Sequence, residues 1–364
     1  MFENIQIKNF RGIKNLEIDK LARINLFVGD NNCGKSSLLE ALFLLTAPTN
    51  TALDLSINFI REYMRVNKND IQLLFYGYKF NGNNTINISA NMKNFKTNLE
   101  IIHYEKAVEN NVLLDKDNVS NQKQIEYGLK NIFSLSDKNK TTQYENTIKF
   151  TENIISLVEN QQSTPISKSF HQNENDIDNT VFAKFIPPKY KFESSISKLR
   201  EIKEQKKDHE IISVINKIEP KIVGIDYIGN DVFVDIGIEK LVPINMMGDG
   251  IRKLLSIILS MHDCKDGIIF IDEIDNGFHY SKMPLLWKTV IESANQLNVQ
   301  VFATTHNYDS LKGLAKILSD DTMISTRNDA LTFYLQHLQD DTIKPYAYGY
   351  ENFEFLINQG EEIR

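Results

Sequence analysis

The stretch "INLFVGDNNCGKSSLLEALFLL", residues 24–45, decides the fold. An apolar run, Ile24 to Val28, leads into G-x-x-x-x-G-K-S, with Gly29, Gly34, Lys35 and Ser36 at the fixed places, and a second apolar run of helical length follows. That order reads as strand, loop, helix. Gly29 and Gly34 allow a tight turn in which successive N–H groups point inward, and the positive end of the new helix adds to their field. The loop Asp30-Asn31-Asn32-Cys33 and the first helical residue pair Ser36-Ser37 then wrap a phosphate chain. Lys35 reaches the terminal phosphates as a point charge, and the Ser36 hydroxyl is placed to ligate Mg2+.

The chain around this loop has 364 residues, 41% of them hydrophobic, which is enough for one large domain or two modest ones. Its two cysteines, Cys33 and Cys264, offer neither a disulfide framework nor metal-ligand spacing, and a reducing compartment fits best. The longest apolar runs, "LLEALFLLTA" and "KLLSIILSM", are too short to span a bilayer. A cytoplasmic protein with no membrane association is expected. The formal charge of −7 argues against a surface that binds nucleic acid everywhere, while leaving room for a local basic patch.

Beyond the loop, a second stretch completes a site. "GIIFIDEID" places Asp272 and Glu273 where an apolar strand, Ile268 to Ile271, emerges at its C-terminal end, the edge at which open α/β sheets hold ligands. Asp272 is positioned to bind Mg2+ and Glu273 to accept a proton from a water attacking the terminal phosphate. "VFATTHN" puts His306 at the end of a further apolar strand, where it would face that phosphate if the strand neighbours "IIFID". Thr304 and Thr305 are supporting hydroxyls.

Short alternating strands are expected at "IQIKNF", "LEI", "NTINISANM" and "TNLEIIHY", forming an antiparallel lobe beside the loop. From 106 to 185 the composition turns to Asn, Lys, Asp, Gln and Ser, and an insertion with helical pieces and mobile loops is expected. A helix is read from "SSISKLREIKEQKKDHEIISVINKIEP", ended by Pro220; residues 184 to 207 hold eight Lys/Arg against three Glu, either a solvated face or a contact for nucleic acid or an acidic partner. The remainder alternates strands and helices and includes a strand pair at "TMIST" and "LTFYLQH", so a largely parallel sheet covered by helices is expected.

Taken together, "IQIKNFRGIKNLEI…INLFVGDNNCGKSSLLEAL", "MGDGIRKLL", "IDEIDNGFHYSKMPLLW" and "VQVFATTH" resemble the AAA-family ATPases related to the OLD, RecF and SMC proteins, and the ending "YENFEFLINQGEEIR" is similar to the close of short bacterial members. The resemblance implies an α/β P-loop NTPase of the ABC-ATPase-head type, its first part in residues 1–105 and its second in 186–364, with the insertion 106–185 inheriting nothing. It also implies ATP with Mg2+ sandwiched between two heads, each lending a signature loop to its partner's nucleotide. By position that loop holds Gly248, Asp249 and Gly250. Gly248 stands where transporter-like signatures carry serine, and Asp249 is expected to cap the following helix. Arg11 in "NFRG" matches an arginine that lies near the nucleotide in related heads, and His279 stands where SMC-type heads carry an aspartate. No glutamine is assigned to the usual metal-coordinating loop.

The function expected from these features is an ATPase that dimerises or forms a higher homo-oligomer around nucleotide and signals to an effector such as a nuclease or toxin, by analogy in bacterial antiviral defence. The alternatives are a RecF-like ATPase that clamps DNA and a scaffold that binds nucleotide without hydrolysing it.

Overall fold

Alternating apolar residues in "FENIQIKNF" build β1 (Phe2–Phe10), which turns at Arg11-Gly12 into the antiparallel β2 (Ile13–Ile18). β3 (Ile24–Val28) is buried at all five positions and runs into the phosphate loop and α1 (Lys35–Thr46). The computed structural model describes residues 1–47, 50, 53–54, 57–61, 68–80, 85–115, 118–138, 140–150, 155–159, 162–165, 181–189, 196–229 and 231–360.

After α1 come short helical turns, then β4 (Ile86–Met92), β5 (Phe95–Asp115), β6 (Asn118–Ser136), β7 (Thr141–Phe150), β8 (Ile155–Glu159), β9 (Gln162–Pro165) and β10 (Ala183–Ile186). Two helices, α2 (Ile196–Glu204) and α3 (Asp208–Ile218), lead to a small meander of β11 (Gly224–Ile228), β12 (Asp231–Asp235) and β13 (Val242–Pro243). The chain then alternates: α4 (Asp249–Asp263), β14 (Ile268–Ile271), α5 (Met283–Gln296), β15 (Gln300–Thr304), α6 (Tyr308–Leu318), β16 (Ala330–His337), β17 (Ile343–Tyr348) and α7 (Tyr350–Gln359).

All strands outside the meander form one sheet in the order β10-β14-β15-β3-β16-β17-β2-β1-β4-β5-β6-β7-β8-β9. From β10 to β16 every neighbouring pair is parallel, and from β2 outward through β1 and β4 to β9 every pair is antiparallel. The sheet has a core on each face. Phe27, Phe270, Phe302 and Phe333 pack with α1 on one side, while Leu26, Ile271 and Val301 pack with α4, α5 and α6 on the other. Alternate residues of the same strands serve the two cores, as buried parallel strands require.

Three expectations change. Between 106 and 185 the described residues form no helix: the far half of β5 and β6 make a long hairpin extended by β7, β8 and β9, while the strand read at 97–104 is the near half of β5. Leu99, Ile101, Leu129, Phe133 and Ile148 are buried at alternate strand positions, so few apolar residues suffice for one covered face. The stretch "HQNENDIDNT" (171–180) lies outside the described residues. The single basic helix is two, because Lys206 turns left-handed at φ 58 between α2 and α3. "TMIST" is a 3-10 segment within Asp321–Asp329, nucleated by Asp320, whose carboxylate accepts the Thr322 N–H at 2.8 Å; β16 pairs with β17 instead.

Candidate functional site

The phosphate loop is fixed by its own packing. A Cβ on Gly29, at φ +143, would lie 2.6 Å from the Leu335 carbonyl oxygen and 2.9 Å from Cys33 Sγ; one on Gly34, at φ +93, would lie 2.7 Å from Ile343 Cδ1. Gly29 is therefore demanded both by its conformation and by the backbone it touches, and Gly34 by its left-handed conformation. Asn32 completes the turn at φ 64. Lys35 Nζ donates to the carbonyl oxygens of Gly29 and Asp30, each at 2.8 Å, so its charge is held over the loop. The first turn of α1, with Ser36 and Ser37, carries no acidic residue, and its leading N–H groups are the ones that intrahelical bonds leave free. Burial pushes the Cys33 thiol up, against the lowering pull of nearby Lys35.

Two strands away stands the acidic pair. β14 pairs in parallel with β15, and β15 with β3, so the phosphate loop, His306 and Asp272-Glu273 follow three neighbouring strand ends on one sheet edge. Asp272 is buried and Glu273 half-buried. Thr304, 1% exposed at the end of β15, donates its hydroxyl to Asp272 Oδ1 at 2.5 Å and accepts the Glu273 N–H at 2.8 Å. Glu273 itself is left-handed, at φ 49. Thr305 donates to Asp275 and accepts the Asn307 N–H at 3.0 Å, while His306 between these anchors is exposed. The loop after Glu273 reaches His279, whose Nδ1 lies 2.9 Å from Ser281 Oγ.

Three residues that local sequence patterns do not mark also belong here. Glu40, 1% exposed on α1, is gripped by two arginines: Arg11 Nε lies 2.7 Å from Oε2, and Arg61 Nε donates to Oε1 at 2.7 Å while its Nη2 donates to Ser37 Oγ at 3.1 Å. Arg11 is buried, and its Nη2 finds no hydrogen-bond partner among the described residues. Lys253, 4% exposed on α4, donates to the Asp272 carbonyl at 2.8 Å and the Pro187 carbonyl at 3.0 Å. Burial brings its ammonium down to about 8, against the raising pull of Asp272, Glu273 and Asp275.

This donor set fits a magnesium polyphosphate. The phosphate loop, with Lys35 held over it, suits a polyanion. The Ser36 hydroxyl and Asp272 carboxylate are hard oxygens of the kind Mg2+ selects.

Gly248 opens α4 with φ −61, and a Cβ there would meet open space. Asp249 does not cap the helix as its sequence position suggests: it is the first helical residue, and its carboxylate pairs with Arg252 one turn on. Gly250 is packed so closely that a Cβ would lie 2.6 Å from the Gly277 carbonyl oxygen. The start of α4 is thus seated on the loop that follows Glu273 in its own chain.

Among the described residues no helix is long and apolar enough to cross a membrane. Along its whole length the chain is 26% identical to an ATP/GTP phosphatase of Helicobacter pylori, over an alignment of 392 residues that covers all of both proteins. A local match, 45% identical over 47 residues and 13% of each chain, links it to the DNA replication and repair protein RecF of Oenococcus oeni. Among solved structures it is similar to an Smc head bound to the C-winged helix domain of ScpA, with 12% identity, 96% and 98% coverage of the two chains and a TM-score of 0.48. The family model for the AAA ATPase domain matches residues 1–309, a span that runs through the phosphate loop, the start of α4, the acidic strand end and His306. The chain therefore belongs to the AAA ATPase domain family, and it is an ATPase.

Proposed function

We propose that this ATPase closes around nucleotide with a second copy of itself, hydrolyses it, and passes the change of state to a partner protein in the cytoplasm. The observation that carries the reading is the run β14-β15-β3, which brings the acidic pair, His306 and the phosphate loop to one sheet edge. In it, loop N–H groups 29–37 and Lys35 hold the β- and γ-phosphates, and Arg11 adds its spare donor. Ser36 and Asp272 would hold Mg2+, which supplies charge neutralisation at the phosphates when bound. Glu273 takes the proton of the attacking water, and His306, exposed beside it, orients the terminal phosphate.

The second copy enters through α4. Its start is packed on the Gly277 loop, and open space lies beyond Gly248, so the loop Gly248-Asp249-Gly250 is free to meet phosphate on a facing head with its backbone N–H groups. The whole-length similarity to an ATP/GTP phosphatase supports hydrolysis of a nucleoside triphosphate and leaves GTP as a second substrate to test. An effector partner such as a nuclease or toxin, in bacterial antiviral defence, rests on the OLD-like resemblance. The direct test of the hydrolytic site is Glu273→Gln: ATP binding is retained, turnover is lost and an ATP-dependent dimer accumulates, whereas turnover at the parental rate removes Glu273 from its role.

Local identity to RecF favours a second reading, an ATPase that clamps DNA. The basic segment gives it limited support. Lys184 pairs with Asp263, Lys198 with Glu201 and Lys203 with Asp208 and Asp226, while Arg200 donates to the Gly229 carbonyl. ATP-dependent, salt-sensitive binding of duplex DNA would establish it.

A further inference from the structure

The peptide group joining Asp272 to Glu273 is held on both sides. Its carbonyl accepts Lys253 Nζ at 2.8 Å, and its N–H donates to Thr304 Oγ1 at 2.8 Å. Immediately beyond it Glu273 adopts φ 49, a left-handed conformation that costs a residue with a Cβ about 1 kcal/mol or more unless its surroundings impose it. Thr304 comes from β15, within the sheet. Lys253 comes from α4, shortly after its Gly248-Asp249-Gly250 start, and reaches down through the core at 4% exposure.

The same ammonium also donates to the Pro187 carbonyl at 3.0 Å, and the Asp272 N–H donates to the Ile186 carbonyl at 2.9 Å. One buried cation therefore ties together the end of β10, the end of β14 and the helix that begins with Gly248-Asp249-Gly250. At the other end of the same unit, Gly250 and Gly277 touch backbone to backbone: Cβ atoms there would lie 2.6 Å from the Gly277 carbonyl oxygen and 2.8 Å from the Gly250 nitrogen. Through Lys253, α4 is bonded directly to the Asp272 carbonyl, part of the peptide plane from which the Glu273 side chain departs.

We infer that Lys253 is a positioning residue for hydrolysis, which orients Glu273 by clamping the Asp272–Glu273 peptide and links that orientation to the helix bearing the signature loop. The inference rests on the role of Glu273 stated above. A lysine suits the task because its single nitrogen has three donors on a flexible stem, enough to serve two carbonyls at once. The two carbonyls that Lys253 serves lie outside the phosphate loop, so its loss acts on the chemical step and leaves binding in place.

The experiment compares Lys253→Met, Lys253→Arg and Glu273→Gln by steady-state ATP hydrolysis, ATP affinity by calorimetry, and thermal melting. In Lys253→Met, kcat falls about 10- to 100-fold while ATP affinity stays within about three-fold, the scale seen when a group that orients a ligand or base is removed. Lys253→Arg, which keeps a cationic donor, recovers more of kcat than of any change in melting. Parental kcat in Lys253→Met beside an inactive Glu273→Gln overturns the inference and spares the reading of Glu273. Parental kcat in Glu273→Gln removes that reading itself. Loss of kcat and ATP affinity in equal proportion, unrelieved by arginine, assigns Lys253 a packing role only and also overturns it. Should the methionine variant fail to fold, Lys253→Gln, a shorter neutral donor, takes its place with the same expectations.

Discussion

Thr304 donates its hydroxyl to the Asp272 carboxylate at 2.5 Å and accepts the Glu273 N–H at 2.8 Å, so one side chain on β15 fixes both acidic residues at the end of β14. The strand lying between the phosphate loop and the acidic pair thus spaces the two halves of the site and orients one of them.

Thr304→Val keeps the shape and removes both hydrogen bonds. A buried carboxylate oxygen and a buried N–H are left short of a partner, at a cost of about 1–3 kcal/mol each. The expected result is a fall in kcat of about ten-fold with a measurable loss of stability, read by phosphate release and denaturant unfolding. Parental values in both would detach Thr304 from the site.

Lys35→Ala removes the ammonium that bridges the Gly29 and Asp30 carbonyls. Calorimetric ATP binding is expected to vanish while the melting temperature changes little, since the half-buried lysine contacts loop carbonyls at the rim of the sheet. Unchanged affinity would contradict the assignment of the phosphate loop.

Glu40→Gln leaves two guanidinium groups around a neutral amide. Arg11 is the consequential one, because it is buried with an unpartnered Nη2 already. Stripping one partner from a buried ion pair costs about 3–5 kcal/mol, and denaturant unfolding should report a loss on that scale. A loss below about 1 kcal/mol would mean that the paired arginines contribute little to holding α1.

Asp54 supplies a pH dependence. Burial pushes its carboxyl from 3.8 up to about 7, against the lowering influence of the Asn131 amide. The folded protein therefore binds the proton more tightly than the unfolded chain. Its stabilising contribution is complete below about pH 4, declines as pH rises, and is gone above about pH 7. Asp54→Asn, which mimics the protonated acid, is expected to be more stable than the parent near pH 8 by a few kcal/mol, on the order of the shift at about 1.4 kcal/mol per unit, and equal to it near pH 4. A difference independent of pH would place the titration elsewhere.

The parts of the site that are continuous in sequence were legible there. Gly29 to Ser37 and Ile268 to Glu273 announce themselves because a strand must end and a turn begin within a few residues, and His306 follows by the same logic. Glu40, Arg61 and Lys253 were not, since each looks like an ordinary helical or loop charge until the fold brings in a partner; Lys253 and Asp272 are 19 residues apart. The misreading from residue 106 on, through the far half of β5 and through β6 and β7, has a related cause. Asn-, Lys- and Ser-rich strands resemble a solvated insertion unless Leu129, Phe133 and Ile148 are recognised as continuing the covered face that Leu99 and Ile101 begin. The β-branched run in "TMIST" misled in the opposite direction, because the Asp320 carboxylate closes a turn there that propensity does not register.

The central claim is that a second copy completes each nucleotide site, and mixing two inactive chains tests it most directly. Gly248→Asp places a carboxylate in the open space before α4 without disturbing the chain that carries it, whereas a side chain at Gly250 would strike Gly277. A Gly248→Asp chain retains its phosphate loop, and a Lys35→Ala chain retains its signature loop. Random mixing yields heterodimers with one intact composite site, so ATPase activity should return to about a quarter of the parental rate when each chain alone is inactive. If the folded chains associate and hydrolysis does not recover, or if Gly248→Asp alone is as active as the parent, the shared site is contradicted.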